Sequence, residues 1–184
     1  HTYDAPSAVI RLMDMGIDVT GLHCILPYFP PDLDTENLKS STLAKQIGLK
    51  LVEHRCEEEY IQMLRKPCHG YGREMNPCID CKLFFIKKAA ELMKKMNADF
   101  VATGEVVGQR PMSQLKHTLN HIEKESGLAG RLLRPLSAKL LKPTIVEIDG
   151  RVNRDMLLDI NGRGRKRQFE LAEYYGMPCF VKCF

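Results

Sequence analysis

The chemistry most visible in the sequence belongs to two cysteines, Cys78 and Cys81, at the start of a long segment with helical periodicity. Asn76 is a typical helix N-cap and Pro77 a typical first helical residue, so both cysteines are expected in the first turns, on one face. The partial positive charge at a helix N-terminus stabilises a thiolate. The spacing therefore favours reactive or metal-ligating sulfur, with structural cysteines as the alternative.

The number and spacing of all the cysteines indicate the cellular compartment and how many thiols could join Cys78 and Cys81. The chain has seven cysteines, and no secretory signal or span of transmembrane length occurs in it. An odd count with a close pair is untypical of a secreted disulfide framework, so we predict a cytoplasmic protein that is not membrane-bound. Cys179 and Cys183 could bring a third or fourth sulfur to the pair. The remaining three are expected to be structural: Cys24, Cys56 and Cys68.

Positive charge is concentrated in one part of a chain whose net charge is only +4. Residues 131–167 contain ten lysines and arginines and four acidic residues. A local basic segment of this kind is typical of a polyanion-binding surface, and a solvated face is the alternative. The residues predicted to contact RNA are Arg134, Lys139, Arg163, Arg165, Lys166 and Arg167.

Strand-like and helix-like segments alternate along the chain. Strands are predicted at residues 17–25, 49–54 and 99–103, with a fourth within 131–138. The helix predicted at 78–97 has apolar residues at a 3.6-residue period, namely Phe85, Ile86, Ala89, Leu92, Met93 and Met96. Other helices are predicted at 6–15, 34–47, 57–64, 113–126 and 165–175. The alternation predicts an α/β fold with a doubly wound parallel sheet.

Two features concern domain organisation. The first helix-like segment has no strand before it, although the first strand of a doubly wound fold usually lies in mid-sheet. We therefore expect an N-terminally incomplete nucleotide-binding domain at residues 1–138. A basic extension is predicted at 139–184, and it carries the distal cysteines.

Several motifs together resemble a known family. Residues 76–82 read NPCIDCK, and a helix then leads to residues 98–104, which read ADFVATG. These segments resemble the PP-loop ATP pyrophosphatases that thiolate tRNA, most closely the bacterial 2-thiouridylases and the 4-thiouridine synthetases. The runs GEVVGQRPMSQ at 104–114 and LRPLSAK at 133–139 are similar to a subgroup of these proteins. The resemblance extends over residues 4–175.

The resemblance implies an ATP-dependent tRNA sulfurtransferase with a Rossmann-like fold of the adenine nucleotide alpha hydrolase type. ATP, with Mg²⁺, would adenylate a uridine carbonyl, and sulfur would then displace AMP. Cys81 matches the active-site cysteine of the 2-thiouridylases. Sulfur would come from a persulfide or from a [4Fe-4S] cluster held by three cysteines, namely Cys78, Cys81 and one of Cys179 and Cys183.

The resemblance also implies ligands and partners for the remaining residues. The nucleotide would contact the residues after the third strand and one at the chain start, namely Asp4, Ala102, Thr103, Gly104 and Glu105. The partners would be tRNA and a sulfur donor protein or sulfide, and a homodimer is compatible with the resemblance.

The sequence departs from the family in the phosphate-binding signature and at residue 105. Of the phosphate-binding signature Ser-Gly-Gly-x-Asp-Ser only Asp4 is matched, and Glu105 stands where the family usually has histidine. Because residues 1–3 contain no glycine, we expect this chain to bind ATP poorly unless residues before His1 complete the loop.

Three other functions remain open at this point. The cysteines could form a structural zinc site in an RNA- or nucleotide-binding module. The chain could be a PP-loop enzyme acting on a small molecule, such as an amide-forming ligase. It could also be a regulatory relative that has lost ATP binding.

Overall fold

The computed structural model describes residues 4–30, 32–36, 38–72 and 75–177, in which helices and short strands alternate. None of the helices in these ranges is both long and apolar enough to cross a bilayer. The helices are Asp4–Met13 (α1), Lys39–Gln46 (α2), Glu58–Arg65 (α3), Cys78–Lys95 (α4), Lys116–Glu125 (α5), Ile145–Ile148 (α6) and Lys166–Tyr174 (α7). The strands are Thr20–Ile25 (β1), Lys50–Arg55 (β2), Val101–Ala102 (β3) and Leu132–Leu133 (β4).

The strands form two parallel pairs, so the chain has a mixed α/β architecture. β1 pairs with β2 from Thr20 opposite Lys50 to Ile25 opposite Arg55, and β3 pairs with β4. A parallel pair needs a crossover connection, and α2 supplies it between β1 and β2. The strands lie where the sequence predicted them. β3 is much shorter than predicted, and within the described residues the two pairs form separate sheets.

Helix α4 covers the pair formed by β3 and β4. Its buried apolar residues are Leu83, Ile86, Ala90 and Met93, which pack in one cluster with residues of β3, β4 and α5. The 3.6-residue period is therefore confirmed. The apolar face is rotated relative to the prediction, because Phe85 turns toward α3 and Met96 is exposed.

The segment after β4 shares a core with the start of the chain. One cluster of buried residues comprises Leu12, Leu133, Ala138, Val146, Val152 and Leu157. The predicted domain boundary between residues 138 and 139 falls inside this cluster. Helix α7 packs against α1, which adds a second link between the C-terminal segment and the first helix.

The loop after β3 lies directly against the first turn of α1. A Cβ atom added at Gly104 would lie 2.4 Å from the backbone nitrogen of Ala5 and 2.5 Å from the carbonyl carbon of Asp4. Both neighbours are backbone atoms, which cannot move aside as a flexible side chain can. Glycine is therefore the residue that allows the chain to approach α1 at this point.

We predict that Gly104→Ala lowers the free energy of unfolding by about 1–3 kcal/mol, the usual cost of overpacking a filled site. Gly164→Ala is the matched control, because a Cβ atom there meets nothing within 4 Å. That control should stay within about 0.5 kcal/mol of the unmodified protein. Urea unfolding followed by circular dichroism measures both, and equal stabilities for the two variants would contradict the close approach.

Candidate functional site

Cys81 lies in the first turn of α4 and faces a buried tyrosine on α3. Cys78 and Cys81 are both half-buried. The Cys81 Sγ atom is 3.3 Å from the hydroxyl oxygen of Tyr60, whose ring packs against Phe84 and Phe85. Tyr60 is 21 residues away in sequence, and no local pattern links it to the cysteines. This contact was therefore not predicted from the sequence.

The surroundings of Cys81 shift the pKa of its thiol upward. Burial raises the pKa of the Cys81 thiol, and the hydrogen bond with Tyr60 offsets only part of that rise. Burial likewise raises the pKa of Tyr60. Burial of the charged form thus acts against the thiolate that the position at a helix N-terminus favours. A metal or a base bound beside Cys81 would have to remove the thiol proton.

The start of α4 is also organised differently from the prediction. The N-cap position is Pro77 rather than Asn76, and no side chain caps the helix there. The buried carboxylate of Asp80 instead accepts hydrogen bonds from the backbone nitrogens of Cys68 and His69, at 3.0 and 3.1 Å. Asp80 thereby fixes the loop that precedes the cysteines. Its signal in the sequence was an acidic residue in the first turn, between the two cysteines.

Glu105, predicted to contact the nucleotide, is buried in a network of charges. Its Oε2 atom accepts hydrogen bonds from Arg134 Nε at 3.2 Å and from the Thr103 hydroxyl at 3.1 Å. Its Oε1 atom has no hydrogen-bond partner and lies 3.6 Å from Lys82 Nζ. Because Lys82 follows Cys81, this ion pair brings the start of α4 to the loop after β3.

Asp4 begins α1 and is held from two sides. Its Oδ2 atom accepts a hydrogen bond from Gln109 Nε2 at 3.2 Å, and its Oδ1 atom lies 3.5 Å from Arg165 Nη2. Several buried polar atoms on these same segments lack hydrogen-bond partners: Ser7 Oγ, Gln109 Oε1, Arg165 Nε and both amide atoms of Gln168. The first turn of α1 is therefore surrounded by polar groups whose hydrogen-bonding capacity is not used up.

An apolar hollow lies at the carboxyl end of β1. Its volume is about 370 Å³, and its lining includes Ile25, Phe29, Leu33 and Leu38. Burial raises the pKa of the adjacent Tyr28, and the nearby Cys81 raises it further. Ligands of parallel α/β folds bind outside the carboxyl ends of strands, which makes the hollow a candidate subsite.

The structure brings together three segments that the sequence predicted to form a site. The first turn of α1 with Asp4 contacts Gly104, and Glu105 forms an ion pair with the side chain of Lys82, the residue after Cys81. Ala102 is exposed at the end of β3, and Thr103 is half-buried. Cys179 and Cys183 lie outside the described residues. Burial raises the pKa of Cys24 to about 12, which agrees with a structural role for that residue.

Arg134 does not belong to the predicted RNA surface. Its side chain is 1% exposed, and it donates hydrogen bonds to Glu105, to Glu123 at 3.0 Å and to the Leu119 carbonyl at 3.1 Å. A sequence-based count of charge does not distinguish a buried arginine from a solvated one. Arg165 is half-buried against Asp4 and Phe169. Four of the six predicted residues are exposed: Lys139, Arg163, Lys166 and Arg167.

Comparison of the chain with protein-family models, with curated proteins and with solved structures finds no match. The resemblance of the cysteine segment to tRNA-thiolating enzymes therefore stays a prediction.

We predict that the cysteines differ in their rates of alkylation by iodoacetamide. Cys68 is exposed and should react readily at neutral pH, whereas Cys81 should react slowly and accelerate as the pH rises toward its elevated pKa. Cys24 should be the slowest of the three. Peptide mapping by mass spectrometry at several pH values measures these rates.

Tyr60→Phe is the control variant for this experiment. It removes the hydrogen bond that lowers the pKa of Cys81, so it should slow the alkylation of Cys81 further and leave Cys68 unchanged. Labelling of Cys81 as fast as that of Cys68 at neutral pH would contradict the raised pKa of Cys81.

We also predict that Arg134→Met costs about 3–5 kcal/mol of stability, because it leaves the buried Glu105 carboxylate without its guanidinium partner. Arg167→Met is the matched control, because Arg167 forms an exposed ion pair with Asp159. The control should cost at most about 1 kcal/mol. Urea unfolding measures both variants, and equal losses would argue against the buried network.

Proposed function

We propose that the protein is an ATP-dependent tRNA sulfurtransferase that adenylates a uridine carbonyl and replaces its oxygen with sulfur. The observation that carries this proposal is the meeting of three distant segments. The first turn of α1 contacts Gly104, and Glu105 in turn contacts Lys82, the residue after Cys81. A thiolation site needs a nucleotide pocket and a sulfur position side by side, and this arrangement supports that need.

For the nucleotide, we take the two parallel strand pairs as parts of a doubly wound fold. In such folds the ligand lies at the carboxyl ends of the strands. The base and ribose of ATP would lie near Ala102, Thr103 and the hollow beside β1. The phosphates, with Mg²⁺, would lie at the N-terminus of α1, where the helix dipole and the unpartnered buried donors Ser7 Oγ, Arg165 Nε and Gln168 Nε2 favour an anion.

The reaction begins when the uridine carbonyl oxygen attacks the α-phosphorus of ATP and pyrophosphate leaves. The oxygen is then part of a good leaving group. A sulfur nucleophile then attacks the former carbonyl carbon of the uridine. The carbon–sulfur bond forms, the carbon–oxygen bond breaks, and AMP departs with the oxygen. Cys81 is the residue proposed to carry or direct that sulfur, and Tyr60 is placed to hydrogen-bond to it.

A [4Fe-4S] cluster is one source of the sulfur. Cys78 and Cys81 are half-buried thiols on one helical turn, a donor set that fits a soft metal, and Cys179 or Cys183 would supply the third ligand. When bound, such a cluster supplies an iron position open to sulfide. Each cysteine would lose its thiol proton on binding the metal, because the thiolate is the ligand.

The half-buried pair Cys78 and Cys81 also supports a second candidate function, a zinc-stabilised RNA- or nucleotide-binding module without sulfur chemistry. Metal analysis of protein purified without oxygen separates the two. Iron with acid-labile sulfide supports the sulfurtransferase, and zinc on the cysteines supports the module.

For tRNA, the exposed members of the basic segment are proposed to contact phosphates. Lys139, Arg163 and Lys166 are exposed, and Arg167 lies in the same region with Asp159 as its partner. Phosphate contacts release counterions, so tRNA affinity should fall steeply as salt concentration rises. A small-molecule PP-loop enzyme would lack that dependence.

The decisive experiment is Cys81→Ala in the full-length protein. We expect thiolation of tRNA, measured by mass spectrometry of its nucleosides after incubation with ATP and sulfide, to fall to background. ATP and tRNA binding should be unchanged, because Cys81 is assigned to sulfur delivery. Cys68→Ala is the matched control, since Cys68 is an exposed cysteine of the neighbouring loop, and it should keep full activity. Thiolation that survives in Cys81→Ala would remove Cys81 from the mechanism.

A further inference from the structure

Three side chains converge at a point separate from the thiols of α4. His69 lies in the loop before α4, and His121 and Glu125 lie one turn apart on α5. His69 Nε2 is 3.0 Å from His121 Nε2 and 3.0 Å from Glu125 Oε2. His121 Nε2 is also 3.0 Å from Glu125 Oε2. Three potential ligand atoms therefore form an equilateral triangle, although His69 and His121 are 52 residues apart in sequence.

The hydrogen bond between His69 and Asp80 determines which ring nitrogen of His69 carries the proton and which one has a free lone pair. His69 Nδ1 is 3.1 Å from Asp80 Oδ1, and the Asp80 side chain is 4% exposed. A carboxylate only accepts hydrogen bonds, so Nδ1 carries the proton and donates it. In the neutral ring Nε2 then presents a lone pair to its neighbours. Glu125 Oε2 presents lone pairs as well, so their close contact requires a cation between them.

A metal ion meets this requirement better than a proton. A proton on one nitrogen lies along one donor–acceptor line, and the triangle has three equivalent sides. An ion just above the centre of the triangle contacts all three atoms at once. Zinc bonds to histidine nitrogen at about 2.0–2.1 Å and to carboxylate oxygen at about 2.0–2.2 Å, which places tetrahedral donors roughly 3.3 Å apart. The triangle needs to widen by only a few tenths of an ångström to accept it.

We propose that His69 Nε2, His121 Nε2 and Glu125 Oε2 bind a divalent transition-metal ion of the zinc class. Two imidazoles and one carboxylate suit zinc and its neighbours, whereas Ca²⁺ and Mg²⁺ prefer oxygen ligands alone. The three side chains are 21%, 54% and 34% exposed, so an ion can enter from solvent and keep water at the fourth position.

Asp80 is a positioning residue for this site. A carboxylate that accepts the Nδ1 proton fixes the tautomer and orientation of a metal-binding histidine and increases its basicity. Asp80 also accepts the backbone N–H groups of Cys68 and His69, so the loop cannot swing away from α5. Metal binding would therefore cross-link α5 to the turn that contains Cys78 and Cys81, without using either thiol.

The test is titration of the tag-free, metal-free protein with zinc chloride in a calorimeter, together with the absorption spectrum of the cobalt(II) form. We expect one zinc site that persists in a Cys78→Ser/Cys81→Ser background. The cobalt form in that background should show the bands of a tetrahedral ion without thiolate charge-transfer bands. No stoichiometric binding, or loss of the site with the two cysteines, would overturn the proposal.

Four variants assign the ligands. Asp80→Asn should weaken zinc binding by roughly 10- to 100-fold, the usual effect of losing a carboxylate that orients a ligand. His121→Ala and Glu125→Gln remove ligands and should cost more than that. His117→Ala is the matched control, because His117 is an exposed histidine of the same helix and should leave affinity unchanged. Unchanged affinity in His121→Ala or Glu125→Gln would overturn the site, and their exposure means that neither change should prevent folding.

Discussion

The buried ion pair between Glu105 and Arg134 holds several segments of this protein together. A buried carboxylate is costly unless a positive group pairs with it. Glu105 is 2% exposed, and the guanidinium of Arg134 meets it at 3.2 Å. Arg134 has several donors in a rigid plane, so it also binds Glu123 and the carbonyl of Leu119. One side chain thus connects the loop after β3, the end of β4 and α5. An exposed ion pair contributes little to the free energy of unfolding. This pair is buried, so removing one partner leaves an uncompensated charge in the interior, which is strongly destabilising.

The position of the cysteines depends on the same network. Glu105 holds the loop in which Gly104 touches α1, and its second oxygen faces Lys82 on the first turn of α4. The start of α4 is thereby directed toward the carboxyl end of β3 rather than toward solvent. Tyr60 closes the other side of Cys81. The neighbourhood of the thiol is therefore determined by contacts among segments that are far apart in the chain.

The sequence was sufficient to locate the elements because each depends on local periodicity. The period of 3.6 residues located α4, and short apolar runs located β1 and β2. Local periodicity does not predict contacts between residues that are far apart in the sequence. In the sequence, Arg134 counted as one more positive charge in a basic segment. Only the fold shows that its side chain is buried and bound to Glu105, which lies 29 residues away. The burial that raises the pKa of Cys81 was not predicted for the same reason, since desolvation depends on packing in the fold and not on position in the helix.

The first turn of α4 shows how neighbouring residues can serve different sites. A helix advances about 100° per residue, so Cys78 and Cys81 lie within roughly 60° of each other, while Asp80 lies about 100° from Cys81 on the side away from Cys78. The Cys81 thiol accordingly faces Tyr60 on α3, and the carboxylate faces the loop of His69. Because one rigid turn carries both groups, a displacement at either face must move the other. Sulfur chemistry at the thiols and cation binding at His69 would therefore be coupled through the backbone of α4, with no contact between the two ligands required.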